Sequence, residues 1–259
     1  MNLLLKMKIE KAKLIKKETL NKEIFAFDLK AKTIARNAKP GQFVQIRVNE
    51  SFDPFLRRPL SFASVKGDIF RIIFRVRGKG TKILSEHSVG EYLDILGPLG
   101  SPLKLSYGKE VILVGGGVGI APLYFLAQRL KSKNRLNIFL GAKNCDELIM
   151  HKDFNKLTKN ISVATEDGSL GKKGKVTDLL TNKKINRHNP KLQLFACGPT
   201  QMLKAIQKRF NTIPIYGFLE ERMGCGTGIC FCCAVKRKTG GYLRVCQEGP
   251  VVNLNDIEL

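Results

Sequence analysis

The sequence has little negative charge and no long hydrophobic run. Its 259 residues include 22 Asp and Glu against 45 Lys and Arg, and the formal net charge is +23. No apolar run reaches the roughly 18 residues that a transmembrane helix needs, so we expect no membrane span. Residues 1–8 contain only three consecutive leucines before lysines begin, which is too short for the apolar core of a secretory signal. We therefore expect a cytoplasmic protein.

The excess of basic residues raises the question of nucleic-acid binding. Lysines and arginines are, however, spread over the whole chain as single residues or short groups such as Lys172-Lys173. This distribution favours a lysine-rich solvated surface, which can attract anionic nucleotides or an acidic partner at long range. We expect no nucleic-acid partner, and a non-catalytic nucleic-acid-binding protein stays the alternative from another functional class.

The cysteine count is odd, and the cysteines are not evenly distributed. Seven cysteines without a secretory signal argue against a disulfide framework. Five of them lie in one segment near the end, and four of these are separated by four, two and twelve residues: Cys225, Cys230, Cys233 and Cys246. The first two separations are those of a plant-type [2Fe–2S] cluster, which needs four thiolates converging from one loop.

Two alternatives stay open within this segment. Structural zinc usually takes two C-x2-C pairs, and the segment has only one, Cys230 with Cys233. Cys232 lies between two proposed ligands and can replace either neighbour, although the known spacing favours Cys233. Gly226 and Gly228 allow backbone N–H groups to approach the sulfur atoms, because no Cβ intervenes.

Residues 1–105 have the pattern of an antiparallel β-barrel. Short segments rich in β-branched and aromatic residues, such as Phe43–Val48 and Ile69–Val76, are separated by turn residues. Arg58-Pro59-Leu60-Ser61 lies in this region and is followed by Arg75–Thr81. An arginine fork, a serine hydroxyl and the backbone N–H groups of the Gly80-Thr81 turn can together bind a pyrophosphate.

Residues 106–216 alternate strands with helices, the latter expected at 122–131, 146–156, 176–180 and 200–209, which indicates a doubly wound parallel sheet. The apolar run Val111–Val114 leads into a glycine-rich turn and a helix, where a pyrophosphate can approach the helix N-terminus. Ligands of such sheets bind at the carboxyl ends of the strands. The candidate nucleotide-binding residues there are Gly115, Gly116, Gly117, Gly119, Cys197 and Gly198. The alternative for Cys197 is a small buried apolar residue.

With these motifs in this order, the chain resembles the ferredoxin-reductase superfamily, and more closely the electron-transfer subunits of NAD-dependent (class 1B) dihydroorotate dehydrogenases. The resemblance covers essentially the whole chain. It implies an FAD-binding barrel at 1–105, an NAD-binding α/β domain at 106–216 and a small [2Fe–2S] domain at 217–259. The implied FAD-binding residues are Arg58, Pro59, Leu60, Ser61, Phe74, Arg75, Val76, Gly80 and Thr81. The implied cluster ligands are Cys225, Cys230, Cys233 and Cys246.

The resemblance also implies an electron relay with no catalytic acid or base in this chain. Electrons from dihydroorotate would leave FMN in a separate catalytic subunit, pass through the cluster and FAD, and reduce NAD+ in pyrimidine biosynthesis. The implied assembly is a heterotetramer with two copies of each subunit. The alternative is a related subunit of the same architecture, an NAD(P)H:ferredoxin-type, sulfide or hydrogenase reductase. Lys143 lies close enough to the position of a 2′-phosphate that NADP stays an alternative to NAD as the substrate.

Overall fold

Two units make up the structure, a computed structural model that describes residues 7–181 and 185–259. The first unit takes in the chain up to Leu103 together with Glu220–Ala234 and Arg244–Pro250. The second takes in Lys104–Leu219, Val235–Leu243 and Val251–Leu259. The three leucines at positions 3–5 lie outside the described residues. No helix in the described part of the chain has the length and apolar character that crossing a bilayer requires.

The first unit is built on a closed antiparallel barrel, as the strand pattern predicts. Its elements are β1 (Lys8–Thr19), β2 (Ile24–Lys30), α1 (Lys32–Asn37), β3 (Phe43–Arg47), β4 (Arg58–Lys66), β5 (Ile69–Arg75), α2 (Lys79–Glu86) and β6 (Tyr92–Leu99). The strands close in the order β1-β2-β5-β4-β3-β6. In β5, Phe70, Ile72 and Phe74 are buried, because alternate residues of a strand share one face and this face forms the core.

The second unit is a sheet of alternating strands and helices. Its elements, with the hairpin that follows the cysteine loop, are β7 (Glu110–Gly116), α3 (Ile120–Leu130), β8 (Arg135–Ala142), α4 (His151–Asn155), β9 (Ile161–Thr165), β10 (Lys172–Lys173), β11 (Leu192–Cys197), α5 (Thr200–Arg209), β12 (Ile215–Phe218), β13 (Ala234–Lys236), β14 (Tyr242–Arg244) and β15 (Val251–Asn253). The sheet order is β10-β9-β8-β7-β11-β12-β15. The pairs from β10 to β12 are parallel, which confirms the doubly wound sheet, and β15 adds an antiparallel edge.

Two of the predicted helices are shorter than the sequence pattern indicates. The segment 146–156 forms a 3-10 turn at Cys145–Glu147 and then α4, because Leu148 and Ile149 leave the helical path and become buried. The segment 176–180 is a 3-10 helix at Val176–Leu179. The helices expected at 122–131 and 200–209 are confirmed as α3 and α5.

Candidate redox cofactor sites

The loop between β12 and β13 and the turn that follows β14 together hold four thiols in two pairs. The Cys225 N–H donates to the Sγ of Cys230 at 3.4 Å, and the Cys246 N–H donates to the Sγ of Cys233 at 3.3 Å. A two-iron cluster takes its ligands in the same way, two for each iron, so this donor set fits such a cluster. Across residues 7–181 and 185–259, no three His, Cys, Asp or Glu side chains converge on a position for a single metal ion.

Unusual backbone angles and one arginine shape this loop. Gly226 and Gly228 have φ values of 70° and 87°, a region that residues with a Cβ rarely adopt. Nη1 of Arg244 donates to the Gly228 carbonyl at 2.9 Å, and Nη2 lies 2.6 Å from Oε1 of Glu248. Arg244 is not among the residues predicted from the sequence, although its position two residues before the proposed ligand Cys246 was an available signal.

The contacts of Cys233 differ from those of its neighbour Cys232. Cys233 is 2% exposed, and its carbonyl accepts the N–H of Val245 at 3.1 Å while its Sγ accepts the N–H of Cys246. The side chain of Cys232 is exposed. These contacts favour Cys233 as the third ligand, in agreement with the spacing argument.

The thiols of the proposed ligands differ in how easily they lose a proton. Burial opposes ionisation of Cys225, but hydrogen bonds from Thr227 and from Cys230 outweigh it and lower the pKa to about 6. Burial, followed by the neighbouring thiol of Cys233, raises the pKa of Cys246 to about 12. Because a metal binds the thiolate, Cys246 would have to lose this proton in order to hold an iron near neutral pH.

The candidate flavin-binding residues lie where two barrel strands separate. The β4–β5 ladder ends at the pair Phe62–Ile72, and the preceding residues of β4, Arg58–Ser61, pair with β3. In β5, the residues that follow Ile72 pair with β2. The two groups of residues predicted from the sequence, Arg58–Ser61 and Phe74–Val76, therefore lie where β4 and β5 are no longer paired with each other, which we call the opening between these strands.

Arg58 and Gly80 are in close contact beside this opening. A Cβ at Gly80 would lie 2.2 Å from Nε of Arg58, so only glycine allows the guanidinium to lie against the start of α2. The first N–H groups of a helix have no partner within the helix, and together with an arginine fork they fit a diphosphate. The Thr81 hydroxyl instead closes the turn, because it accepts the N–H groups of Arg77 and Gly78 at 2.9 and 3.3 Å.

Two of the candidate flavin residues have side chains that are engaged within the barrel. Phe74 is 2% exposed and packs edge-on against Phe27, with ring centroids 5.2 Å apart. It can therefore offer only its backbone to a flavin. Nη1 of Arg75 lies 3.0 Å from Oε2 of Glu23.

The glycine-rich turn after β7 meets the end of β11 at the carboxyl edge of the sheet. Gly115 is paired with Cys197 in the parallel register. A Cβ at Gly119 would lie 2.6 Å from the Cys197 carbonyl oxygen and 2.7 Å from the N of Gly198, so the two turns touch because Gly119 has no side chain. Gly117 has a φ of 56° and open space where a Cβ would be, which leaves room for a diphosphate. Cys197 is 1% exposed, as expected of a small apolar residue.

Each cofactor segment matches a known family. Residues 11–103 match an oxidoreductase FAD-binding domain, residues 113–208 an oxidoreductase NAD-binding domain, and residues 220–258 the iron-sulfur cluster binding domain of dihydroorotate dehydrogenase B. A Shouchella clausii (strain KSM-K16) protein named "Dihydroorotate dehydrogenase B (NAD(+)), electron transfer subunit" is 36% identical over 95% of this chain and 96% of its own. The chain belongs to this family. A subunit of the same name from Geobacillus thermodenitrificans is 37% identical over 96% of this chain and 98% of its own.

Solved structures of other oxidoreductases share this fold. An NADH-dependent reduced ferredoxin-NADP oxidoreductase, described in work on flavin-based electron bifurcation, superposes with a TM-score of 0.84 at 35% identity, over 95% of this chain and 89% of that one. The ferredoxin reductase of carbazole 1,9a-dioxygenase has a TM-score of 0.69 at 18% identity, over 82% of this chain and 69% of its own, and shows the fold alone. The family assignment confirms the predicted binding of FAD, NAD and an iron–sulfur cluster.

Proposed function

We propose that this chain carries electrons from a dihydroorotate-oxidising catalytic subunit to NAD+. The observation that supports this most is the cysteine loop, where two thiol pairs suit a two-iron cluster, in a chain 36% identical over nearly its full length to a named electron transfer subunit. Bound FAD supplies the chemistry that links one-electron transfer at a cluster to hydride transfer at a nicotinamide.

The residues of this chain bind and orient the cofactors. Cys225, Cys230, Cys233 and Cys246 hold the irons. Arg58, with the first turn of α2, binds the flavin diphosphate, and the opening between β4 and β5 admits the rest of the flavin. The turn Gly115–Gly119, together with Gly198, lets the NAD diphosphate approach the backbone. We assign no general acid or base, because hydride and electron transfer here require none.

We further propose that the catalytic partner is an FMN-containing subunit and that two copies of each chain form a heterotetramer. Ile229 and Phe231 are 80% and 57% exposed, and both lie between proposed cluster ligands. Large exposed apolar side chains of this kind mark an interaction surface. Because electrons must enter the cluster from the partner, the face beside the cluster is where an FMN subunit has to dock.

The decisive experiment is reconstitution. The chain is coexpressed with an FMN-binding dihydroorotate dehydrogenase subunit, the complex is purified, and orotate formation is followed with NAD+ as the acceptor. NAD+-dependent orotate formation by the complex, with none by either subunit alone, is the expected result. A catalytic subunit that neither copurifies with this chain nor gains NAD+ reduction from it contradicts the proposal.

A second candidate function is that of a reductase subunit connecting a pyridine nucleotide with ferredoxin. The similarity to the NADH-dependent reduced ferredoxin-NADP oxidoreductase, 35% identical with a TM-score of 0.84, supports it. Lys143 is exposed after β8, where it can meet a 2′-phosphate, although its carbonyl accepts the N–H of the acidic Asp167 at 3.1 Å. We propose NAD as the substrate, and KM values for NADH and NADPH in flavin reduction test this choice. Reduction of ferredoxin by the purified chain with NADH would support the second function, and its absence would contradict it.

The domain boundaries and the cellular location are proposals of the same kind. We propose functional domains at 1–105, 106–216 and 217–259. Residues of the last segment are shared between the two compact units.

The cysteines bear on the cellular location. All seven are free thiols, and those of an iron–sulfur loop need a reducing compartment. This supports the cytoplasm, and limited proteolysis tests the boundaries.

A further inference from the structure

Gln45 is a fully buried polar residue in the middle of β3. It is 0% exposed, and neither Oε1 nor Nε2 of its amide has a hydrogen-bond partner among the described residues. Leaving a buried amide unpaired is costly, so native proteins rarely do it without a reason. The position of this side chain therefore calls for an explanation.

The amide of Gln45 lies against the cysteine loop. A Cβ at Gly226 would be 2.7 Å from Nε2 and 2.9 Å from Cγ of Gln45, and Gly226 directly follows the proposed ligand Cys225. The strand neighbours Val44 and Ile46 point to the opposite face, because successive residues of a strand alternate. In the ladder, Gln45 is opposite Pro59, one of the candidate flavin residues.

Packing alone does not account for an amide at this position. Methionine fills a similar volume and carries no group that needs a hydrogen bond. The nearby Gln42 shows the difference: it is 8% exposed, but its Nε2 donates to the Gly100 carbonyl at 2.9 Å and its Oε1 accepts the Lys39 N–H at 3.0 Å. The hydrogen bonds of the Gln42 amide explain why a glutamine stands at that position. The Gln45 amide makes no such hydrogen bond among the described residues.

We propose that Nε2 of Gln45 donates a hydrogen bond to a sulfur atom of the cluster held by the loop and thereby raises the reduction potential of that cluster. Reduction adds negative charge to the cluster, and a donor to sulfur stabilises that charge. In this role Gln45 sets the reduction potential of the cluster and takes no part in a chemical step. The inference rests on the proposed cluster site.

The test is a redox titration of the cluster-loaded protein, followed by EPR. Gln45→Met is expected to make the one-electron reduction about tenfold less favourable, which lowers the midpoint potential by about 59 mV. Gln42→Met is the matched control: it loses a satisfied amide, so we expect a lower Tm and an unchanged midpoint potential. The inference is overturned if Gln45→Met has the midpoint potential of the wild type and an equal or higher Tm. The side chain at position 45 then serves only apolar packing.

A spectroscopic measurement does not depend on the folding of Gln45→Met. Protein with 15N-labelled glutamine side chains, carrying Gln247→Met because Gln247 adjoins Cys246, is reduced and studied by pulsed EPR. Hyperfine coupling to a glutamine nitrogen is expected, and its absence overturns the role of Gln45. A wild-type protein that shows no cluster signal after iron and sulfide loading contradicts the proposed cluster site itself, which separates the two failures.

Discussion

The backbone N–H of Cys246 donates to the Sγ of Cys233 over 3.3 Å, and both residues are 2% exposed. Between them, β13 and β14 form a two-stranded sheet that turns the chain back on itself. The twelve residues that separate the two cysteines are therefore the length of a hairpin, which returns the last thiol to the third. The pair is held by this contact from the backbone of one cysteine to the sulfur of the other.

Exchange of single cysteines tests the ligand assignment. Cys233→Ser is expected to prevent stable assembly of the [2Fe–2S] cluster, because a serine hydroxyl is a poor replacement for a soft thiolate. Cys232→Ser is the matched control and should retain the cluster, since Cys232 lies outside the C-x4-C-x2-C spacing. Iron and sulfide content and the EPR signal of the reduced protein measure the outcome. Loss of the signal in Cys232→Ser with retention in Cys233→Ser reverses the assignment.

The features that the sequence predicts well are those encoded over short stretches. The spacing of Cys225, Cys230 and Cys233 is local, and the loop that it describes is present. The glycine turn after β7 also follows from a strand, a turn and a helix that are contiguous in the chain. Strand and helix alternation likewise identifies the sheet, because the hydrophobic period of each element is contained in its own short stretch of sequence.

The features that the sequence does not reveal depend on distant parts of the chain. In Phe43-Val44-Gln45-Ile46, the period of two assigns Gln45 to an outer, solvated face, but Gly226, remote in sequence, covers it. The sequence places Phe74 near the end of a strand, beside the predicted flavin site. In the structure its ring packs in the core against Phe27. The β15 strand is only three residues long and carries too little pattern to be recognised before its partner β12 is known.

Removal of the Arg58 guanidinium is expected to weaken flavin binding. Arg58→Ala loses a charged hydrogen bond to the diphosphate, which is worth roughly 1.5–3 kcal/mol, or about a 10- to 150-fold rise in the dissociation constant. Flavin release during dilution, followed by fluorescence, measures it. Arg57→Ala is the control, because Arg57 pairs with Asp94 at 2.7 Å and should affect stability without affecting flavin affinity. Equal flavin loss in both variants removes Arg58 from the site.

The exposed apolar residues of the cysteine loop should determine partner affinity. Ile229→Ser together with Phe231→Ser removes apolar surface at the proposed docking face, so we expect at least a tenfold weaker complex with the catalytic subunit, measured by calorimetry or by gel filtration. The control is Val89→Ser, since Val89 is 58% exposed in the turn before β6, away from the cysteines in sequence. Cluster content and flavin content should stay at wild-type levels. An unchanged affinity in the double variant, or an equal loss in the control, places the interface elsewhere.

A side chain at Gly119 should weaken NAD binding specifically. Gly119 has an ordinary φ of −62°, so Gly119→Ala imposes no backbone strain, but the new Cβ would lie 2.6 Å from the Cys197 carbonyl oxygen. Because one of the two turns has to move, we expect the KM for NADH to rise roughly tenfold, equivalent to about 1.4 kcal/mol.

Gly108→Ala is the control for the measurement of the KM for NADH in Gly119→Ala. Gly108 has a φ of 67° and open space around it, so alanine there strains the backbone by about 1–2 kcal/mol and touches nothing. It should lower the Tm and leave the KM for NADH unchanged. In Gly119→Ala, the KM should rise while the flavin and cluster spectra stay as in the wild type. If both variants lose stability equally and neither changes the KM, the contact between Gly119 and Cys197 serves only the packing of the sheet edge, and the NAD diphosphate must bind at another turn.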